Sequence, residues 1–120
     1  MIYLSNKNYV KGRNFEYRVM AFLRKRGYYC IRSYGSKGSF DVIAVPPSRG
    51  STLLIQAKYN GYIPKYELQQ LKEIQKKLWG LVTIAYSENH KLRFRDLNDS
   101  KLIGDLKKKE KRVNVKLNRI

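Results

Sequence analysis

The stretch from Phe40 to Lys58 constrains the fold of this chain more than any other. Two short apolar runs, Val42–Val45 and Leu53–Ile55, flank a Pro-Pro-Ser-Arg-Gly turn. Because β-forming runs on both sides of such a turn favour a hairpin, the pattern predicts two antiparallel strands. In a hairpin, the start of the first strand lies beside the end of the second.

Three polar residues fall at this shared end of the predicted hairpin. Asp41 opens the first run, and Gln56 and Lys58 close the second. Gln56 and Lys58 are two residues apart, so their side chains point to the same face of the strand. An acid, an amide oxygen that can bind a metal and an ammonium group at one point would suit phosphodiester hydrolysis. The same residues are also compatible with an ordinary polar strand end.

Charge is the strongest signal in the composition. The 120 residues, enough for one compact domain, include 26 Lys and Arg against 9 Asp and Glu, a net charge of +17. This excess is far larger than solubility requires, so it predicts a polyanionic partner, with nucleic acid ahead of a membrane surface.

Other classes of protein fit the composition less well. No apolar stretch approaches the length of a membrane span, and the N-terminus lacks the apolar core of a signal peptide. A single cysteine, Cys30, and a single histidine, His90, argue against an internal disulfide, a Cys/His zinc site and a Ser-His-Asp triad. We therefore expect an intracellular, cytoplasmic protein that does not bind membranes.

The remaining patterns predict an α/β domain with a mixed sheet, in the order α-β-β-β-α-β-β. Residues 1–10 suggest an irregular or strand-like lead-in to a helix from about Val10 to Arg26, which Gly27 ends. A second helix should run from Pro64 or Lys65 to about Trp79. We expect its buried stripe to comprise Leu68, Leu71, Ile74 and Leu78. Strands are predicted over 28–33, 81–86 and 91–96, the last at an edge of the sheet, and a basic tail over about 101–120.

Glu16 is the acid on the first helix that could face the same point as Asp41. It lies next to the apolar Phe15, near the buried edge of the helix. The alternative is a solvated helix acid paired with Arg13 or Arg24, and the residue taken alone favours this alternative.

Taken together, these residues resemble the PD-(D/E)xK nuclease superfamily, and more closely the archaeal Holliday junction resolvases of archaeal cells and their viruses. The matching segments are KGRNFEYRV (11–19), YCIRSYGSKGSFDVIAV (29–45), LLIQAKY (53–59) and LRFRDL (92–97). The resemblance covers roughly residues 9–97. It implies a restriction-endonuclease-like fold, in which helices flank a central mixed β-sheet. It also implies a homodimeric, metal-dependent endonuclease of DNA recombination and repair that resolves four-way junctions by paired cuts.

The resemblance also implies a set of site residues. It assigns catalysis to Glu16, Ser36, Asp41, Gln56 and Lys58. Of these, Glu16, Asp41 and Gln56 would bind Mg²⁺ or alternatively Mn²⁺, helped by the carbonyl of Ala57. The chain departs from the usual pattern at Gln56, where most relatives have Glu, so the site loses one negative charge. It departs again at Tyr17, where a basic residue often follows the helix acid.

Further residues are candidates for binding DNA. Six basic residues could contact phosphates: Arg13, Arg32, Lys37, Arg49, Lys65 and Lys72. Four tyrosines could stack on bases or contact sugars, namely Tyr34, Tyr59, Tyr62 and Tyr66. Two other functions stay open at this stage. One is a non-catalytic basic nucleic-acid-binding protein on a degenerate nuclease fold, and the other is a repair or restriction-type nuclease that cuts duplex DNA.

Overall fold

The computed structural model describes residues 2–33 and 39–97 of the chain. Its elements are α1 (Ile2–Arg24), β1 (Tyr29–Arg32), β2 (Val42–Val45), β3 (Leu53–Ala57), α2 (Lys65–Gln75), β4 (Leu81–Glu88) and β5 (Lys91–Asp96). This is the predicted order of helices and strands. Ser36, Lys37, Tyr34 and the predicted basic tail over 101–120 lie outside the described residues. No helix within the described ranges is long and apolar enough to cross a membrane.

The first helix is longer than predicted. The lead-in expected for residues 1–10 is wrong, because α1 already begins at Ile2. This segment contains no proline or glycine, so nothing in it interrupts a helix that the apolar face further on stabilises. The helix ends at Arg24, two residues before the predicted Arg26. The turn that follows it runs to Gly27, whose φ of 89° lies in the left-handed region that favours glycine.

The five strands form one mixed sheet in the order β1-β2-β3-β4-β5. The predicted hairpin is confirmed, since β2 and β3 pair antiparallel with Val42 opposite Ile55. Strands β3 and β4 are parallel, and α2 makes the crossover between them that a parallel pair requires. Among the described residues, strand β5 pairs with β4 alone, which confirms that it is an edge strand.

Helix α1 covers one face of the sheet and forms the main core with it. Phe15, Val19 and Leu23 recur at helical spacing and are buried against Ile55 and Phe94 of the sheet. Because α1 spans β1, β2 and β3 on this face, it carries Glu16 to the end of the sheet where the hairpin begins and ends.

Helix α2 covers the other face, but only over β3 and β4. Its Leu71 packs with Val82 and Ile84 in a second cluster. The helix ends at Gln75 rather than near Trp79. The Gln75 side chain donates to the Gly80 carbonyl at 2.7 Å and accepts the Val82 amide at 2.7 Å, so it holds the turn into β4.

The predicted buried stripe of α2 is therefore mostly wrong. Leu71 is its one buried member, whereas Leu68 and Ile74 are half-buried and Leu78 is 42% exposed. Leu78 lies beyond the end of the helix, in the turn that leads into β4, and so it no longer follows helical periodicity.

Strands β1 and β2 carry an apolar surface on the side facing away from α1. Cys30 and Ala44 point toward α1 and are buried, so their neighbours point to the opposite side. There Tyr29 lies opposite Val45, and Ile31 opposite Ile43. Tyr29, Ile31 and Val45 are 67%, 49% and 39% exposed. We call these four residues, Tyr29, Ile31, Ile43 and Val45, the apolar face.

Candidate functional site

The strand ends meet as the sequence predicts. The Asp41 amide donates to the Ile55 carbonyl at 2.7 Å, which extends the β2–β3 ladder by one residue. The Asp41 carboxylate then accepts the Ala57 amide at 2.8 Å. Asp41 is thereby fixed beside the residues on either side of Ala57, which are Gln56 and Lys58.

Burial decides the protonation behaviour of Asp41. Desolvation raises the pKa of this carboxyl above its usual value, and the nearby Glu16 carboxylate raises it further. The Ala57 amide, the Lys58 ammonium and the Arg32 guanidinium act in the opposite direction but do not outweigh burial. Asp41 is thus an acid whose charged form is held in an unfavourable environment, as functional carboxylates often are.

Glu16 faces the site from α1, where it forms an ion pair with Arg32. The Arg32 Nε–Glu16 Oε1 distance is 2.8 Å, and the two side chains are only 15% and 12% exposed. This hydrogen bond raises the pKa of Arg32. Glu16 therefore pairs with Arg32 of β1 and not with Arg13 or Arg24 of its own helix, the two partners that the sequence suggested.

Glu67 is a residue that the sequence reasoning missed. It lies in the first turn of α2 and accepts from Gln56 Nε2 at 2.9 Å. The Lys58 ammonium lies 2.9 Å from Glu67 Oε1 and 3.1 Å from Oε2. An acid in the first turn of a helix is explained equally well by the helix dipole, so no sequence signal separated Glu67 from an ordinary terminal acid.

The oxygens at this end of the sheet suit a hard divalent cation. Asp41 supplies a carboxylate, and Gln56 supplies an amide oxygen, Oε1, that is buried without a hydrogen-bond partner among the described residues. Mg²⁺ prefers oxygen ligands and commonly uses only one or two carboxylates. In the described part of the chain, no three His, Cys, Asp or Glu side chains form a ready metal cluster. The donor set fits a sparse Mg²⁺ site rather than a protein cage.

Two clefts open beside these residues. One, of about 370 Å³, is lined by Lys11, Glu16, Lys58 and Tyr59 among others. The other, of about 360 Å³, is lined by Gln56, Tyr66 and Glu67 among others. The Lys11 ammonium lies 5.0 Å from the centre of the Tyr59 ring, so a cation and an aromatic surface border the first cleft. Lys11 is a second residue that the sequence reasoning did not single out.

Comparison with known proteins shows which family the chain belongs to. The family model for the archaeal Holliday junction resolvase (Hjc) matches residues 7–119. The chain belongs to this family. The family predicted from the sequence is thus confirmed, and with it the function of a junction-resolving nuclease.

A solved structure supports the fold of this Hjc family member. The crystal structure of Hjc from Archaeoglobus fulgidus, a hyperthermophilic archaeon, superposes with a TM-score of 0.58 and 23% sequence identity. The match covers 77% of this chain and 80% of the other. It confirms the predicted α/β, restriction-endonuclease-like fold. Comparison with curated protein sequences gives no match.

The basic residues of the resolvase do not all lie near the site. Lys65 begins α2 at the same end of the sheet as Lys58, and Lys72 lies two turns further along this helix. Arg13 is on α1, one turn before Glu16, and its guanidinium lies 5.6 Å from the Tyr9 ring. Arg49 is exposed in the hairpin turn, at the opposite end of the strands from Asp41.

Proposed function

We propose that this resolvase is a homodimeric, Mg²⁺-dependent endonuclease that cuts four-way DNA junctions by paired phosphodiester hydrolysis. The observation that carries the proposal is the meeting of Asp41, Gln56 and Lys58 at one strand end, with Glu16 beside them. Branched DNA is the proposed substrate, and an intracellular location follows from it.

We assign the metal to Asp41 and Gln56 Oε1, with the Ala57 carbonyl and Glu16 as further oxygen donors. Glu16 could bind it directly only if its ion pair with Arg32 opened, so we expect Glu16 to act mainly through its charge. When bound, Mg²⁺ would polarise the scissile phosphate and lower the pKa of a bound water; Mn²⁺ can supply the same chemistry. A cation beside Asp41 favours its charged form and so offsets the effect of burial on its pKa.

Lys58 is the proposed stabiliser of charge on the phosphate. Its ammonium is held by Glu67 and lies close enough to Asp41 to lower the pKa of that carboxyl. It is 26% exposed, so a phosphate in the adjoining cleft could approach it. Hydrolysis increases the negative charge on the phosphate oxygens, and an ordered ammonium stabilises this increase.

DNA binding in this proposal depends on charge and shape. Lys65, Lys72, Arg13 and the newly found Lys11 lie on the two helices that flank the site and could contact phosphates on either side of it. We expect contacts to the phosphate backbone to dominate, since the described chain has no recognition helix in a helix-turn-helix arrangement. Four-way junctions are then selected by the path of their backbones.

A second copy of the chain is the proposed partner of the apolar face. The four residues Tyr29, Ile31, Ile43 and Val45 form a contiguous patch that α2 leaves uncovered. The turn that contains Leu78 and Trp79 lies beside this patch. A Cβ placed on Gly80, the residue after Trp79, would lie 2.8 Å from Leu54 Cγ, and Leu54 is the β3 residue opposite Ile43. Exposed aromatic and aliphatic residues of this kind mark interfaces. A twofold dimer would also provide the two active sites that two symmetric cuts need.

The test is cleavage of a synthetic four-way junction with and without Mg²⁺. Paired nicks that require Mg²⁺ or Mn²⁺, with linear duplex of the same sequence largely spared, are expected. Asp41→Asn should retain junction binding and lose cutting. Binding without cutting across a range of both metals would instead indicate a non-catalytic binding protein. Equal cutting of linear duplex would indicate a repair or restriction-type nuclease.

A further inference from the structure

Glu67 joins the two polar residues of β3 from a different element. Its carboxylate accepts from the Gln56 amide at 2.9 Å and pairs with the Lys58 ammonium at 2.9 Å. The Glu67 side chain is 21% exposed, so these contacts are largely shielded from water. Elsewhere on α2, Glu73 pairs with Lys76 in the open, where the two side chains are 54% and 74% exposed.

The hydrogen bond from Gln56 to Glu67 sets the direction of the amide. A reversed amide would place its oxygen against the carboxylate, so the nitrogen must face Glu67 and the oxygen must face away. That oxygen is the buried Oε1 atom, which has no partner among the described residues. A buried acceptor without a donor is unfavourable for folding, and a cation beside it would satisfy it.

Glu67 also compensates for the charge of the site. Position 56 carries a neutral amide, and Asp41 is the carboxylate on the neighbouring strand. Glu67 brings a negative charge to within hydrogen-bonding distance of that amide. From the helix, Glu67 therefore supplies part of the negative charge that a carboxylate at position 56 would supply from the strand.

We propose that Glu67 is a positioning residue for the metal site: it holds the Gln56 amide with its oxygen toward the cation and replaces the charge that Gln56 lacks. This inference rests on the metal-dependent function proposed above. Glu67 acts through Gln56 and Lys58 and needs no contact with DNA.

The test is Mn²⁺ binding by calorimetry in the absence of DNA, together with thermal unfolding of each metal-free variant. Groups that hold metal ligands in place typically contribute 10- to 100-fold to affinity, so we expect about that loss in Glu67→Gln. The matched control, Glu73→Gln, removes the same charge from the same helix and should bind Mn²⁺ like the wild type. The exchange Gln56→Glu/Glu67→Gln returns the carboxylate to the strand, where the new amide can donate to it, and should recover most of the lost affinity.

Three results would overturn the inference in different ways. Unchanged Mn²⁺ affinity in Glu67→Gln would show that Glu67 has no part in the metal site. An exchange variant as weak as the single variant, yet equally stable, would show that the charge and the amide are not interchangeable. If the wild type itself bound no Mn²⁺ and cut no junction, the proposed function would fail together with the inference.

Discussion

Replacing Trp79 by alanine tests the proposed dimer without touching the site. The Trp79 side chain is fully exposed in the single chain, at the turn beside the apolar face. Because it makes no buried contact, its removal should change the free energy of unfolding of the monomer by less than about 0.5 kcal/mol. A larger loss of stability in Trp79→Ala must then come from weaker association of the two chains.

The expected effect on association is large. A tryptophan side chain buries about 200 Å² in an interface, which at about 25 cal/mol per Å² gives an upper limit of about 5 kcal/mol. Truncation of an interface hot spot, a class in which tryptophan is enriched, commonly costs about 2 to 4 kcal/mol, and a twofold dimer contains two copies. We therefore expect a loss of at least about 4 kcal/mol, which raises the dissociation constant roughly a thousandfold.

Sedimentation equilibrium over a concentration series measures this constant directly, since the dimer has twice the 14.2 kDa mass of the chain. Tyr62→Ala is the matched control. Tyr62 is 69% exposed but lies in the connector before α2, at the end of the sheet that carries Lys58. It should leave the dissociation constant unchanged. A wild type that is monomeric at every concentration, or a Trp79→Ala variant that dissociates like the wild type, would refute the dimer through this face.

Three further results are expected. Since burial raises the pKa of Asp41, its ionised form opposes folding above that pKa. Metal-free Asp41→Asn should therefore have a higher melting temperature than the wild type at pH 7. This difference in melting temperature should shrink as the pH falls toward 4, because the wild-type carboxyl takes up a proton. A lower melting temperature at pH 7 would contradict this. Glu16→Gln should lower the free energy of unfolding, measured by chemical denaturation, by about 2 kcal/mol, because it weakens a largely buried charged hydrogen bond to Arg32. A loss equal within error to that of the exposed Glu73→Gln would show that the Glu16–Arg32 pair is not shielded from water. In salt titrations of junction binding, Lys65→Ala should reduce the slope of the logarithm of the binding constant against the logarithm of the salt concentration by about 1. Arg49→Ala, at the far end of the hairpin, should leave this slope unchanged. The reverse result would show that the DNA binds at the other end of the sheet.

The parts of the fold that were predictable are those with strong local patterns. The hairpin could be predicted because two apolar β-forming runs flank a Pro-Pro-Ser-Arg-Gly turn, and β5 because Leu92 and Phe94 alternate with charged residues. The end of α2 could not, because Gln75 stops the helix through side-chain bonds to a segment that folds back from beyond it. Those partners are adjacent only in the folded chain.

The same distinction holds for the site. Asp41, Gln56 and Lys58 share one hairpin, so strand geometry alone predicts that they meet. Glu67 comes from another element, and its place beside Lys58 depends on how α2 packs over β3 and β4. The Glu16–Arg32 pair likewise joins α1 to β1 across 16 residues, and local periodicity does not reveal which arginine an acid will reach.

Strand β2 and the residue that precedes it, Asp41, carry the proposed dimer contact and the proposed metal ligand on one piece of backbone. Val45 belongs to the apolar face and Asp41 to the site, and the four residue-to-residue steps that separate them correspond to about 13 Å of extended chain. A paired strand hardly stretches, so in the proposed dimer the spacing of the two catalytic centres would follow from the angle at which the two sheets cross. The distance between the two nicks in a resolved junction would then report this angle. Replacement of a side chain such as Val45 by a larger or smaller one would then change where a junction is cut and leave the chemistry unchanged.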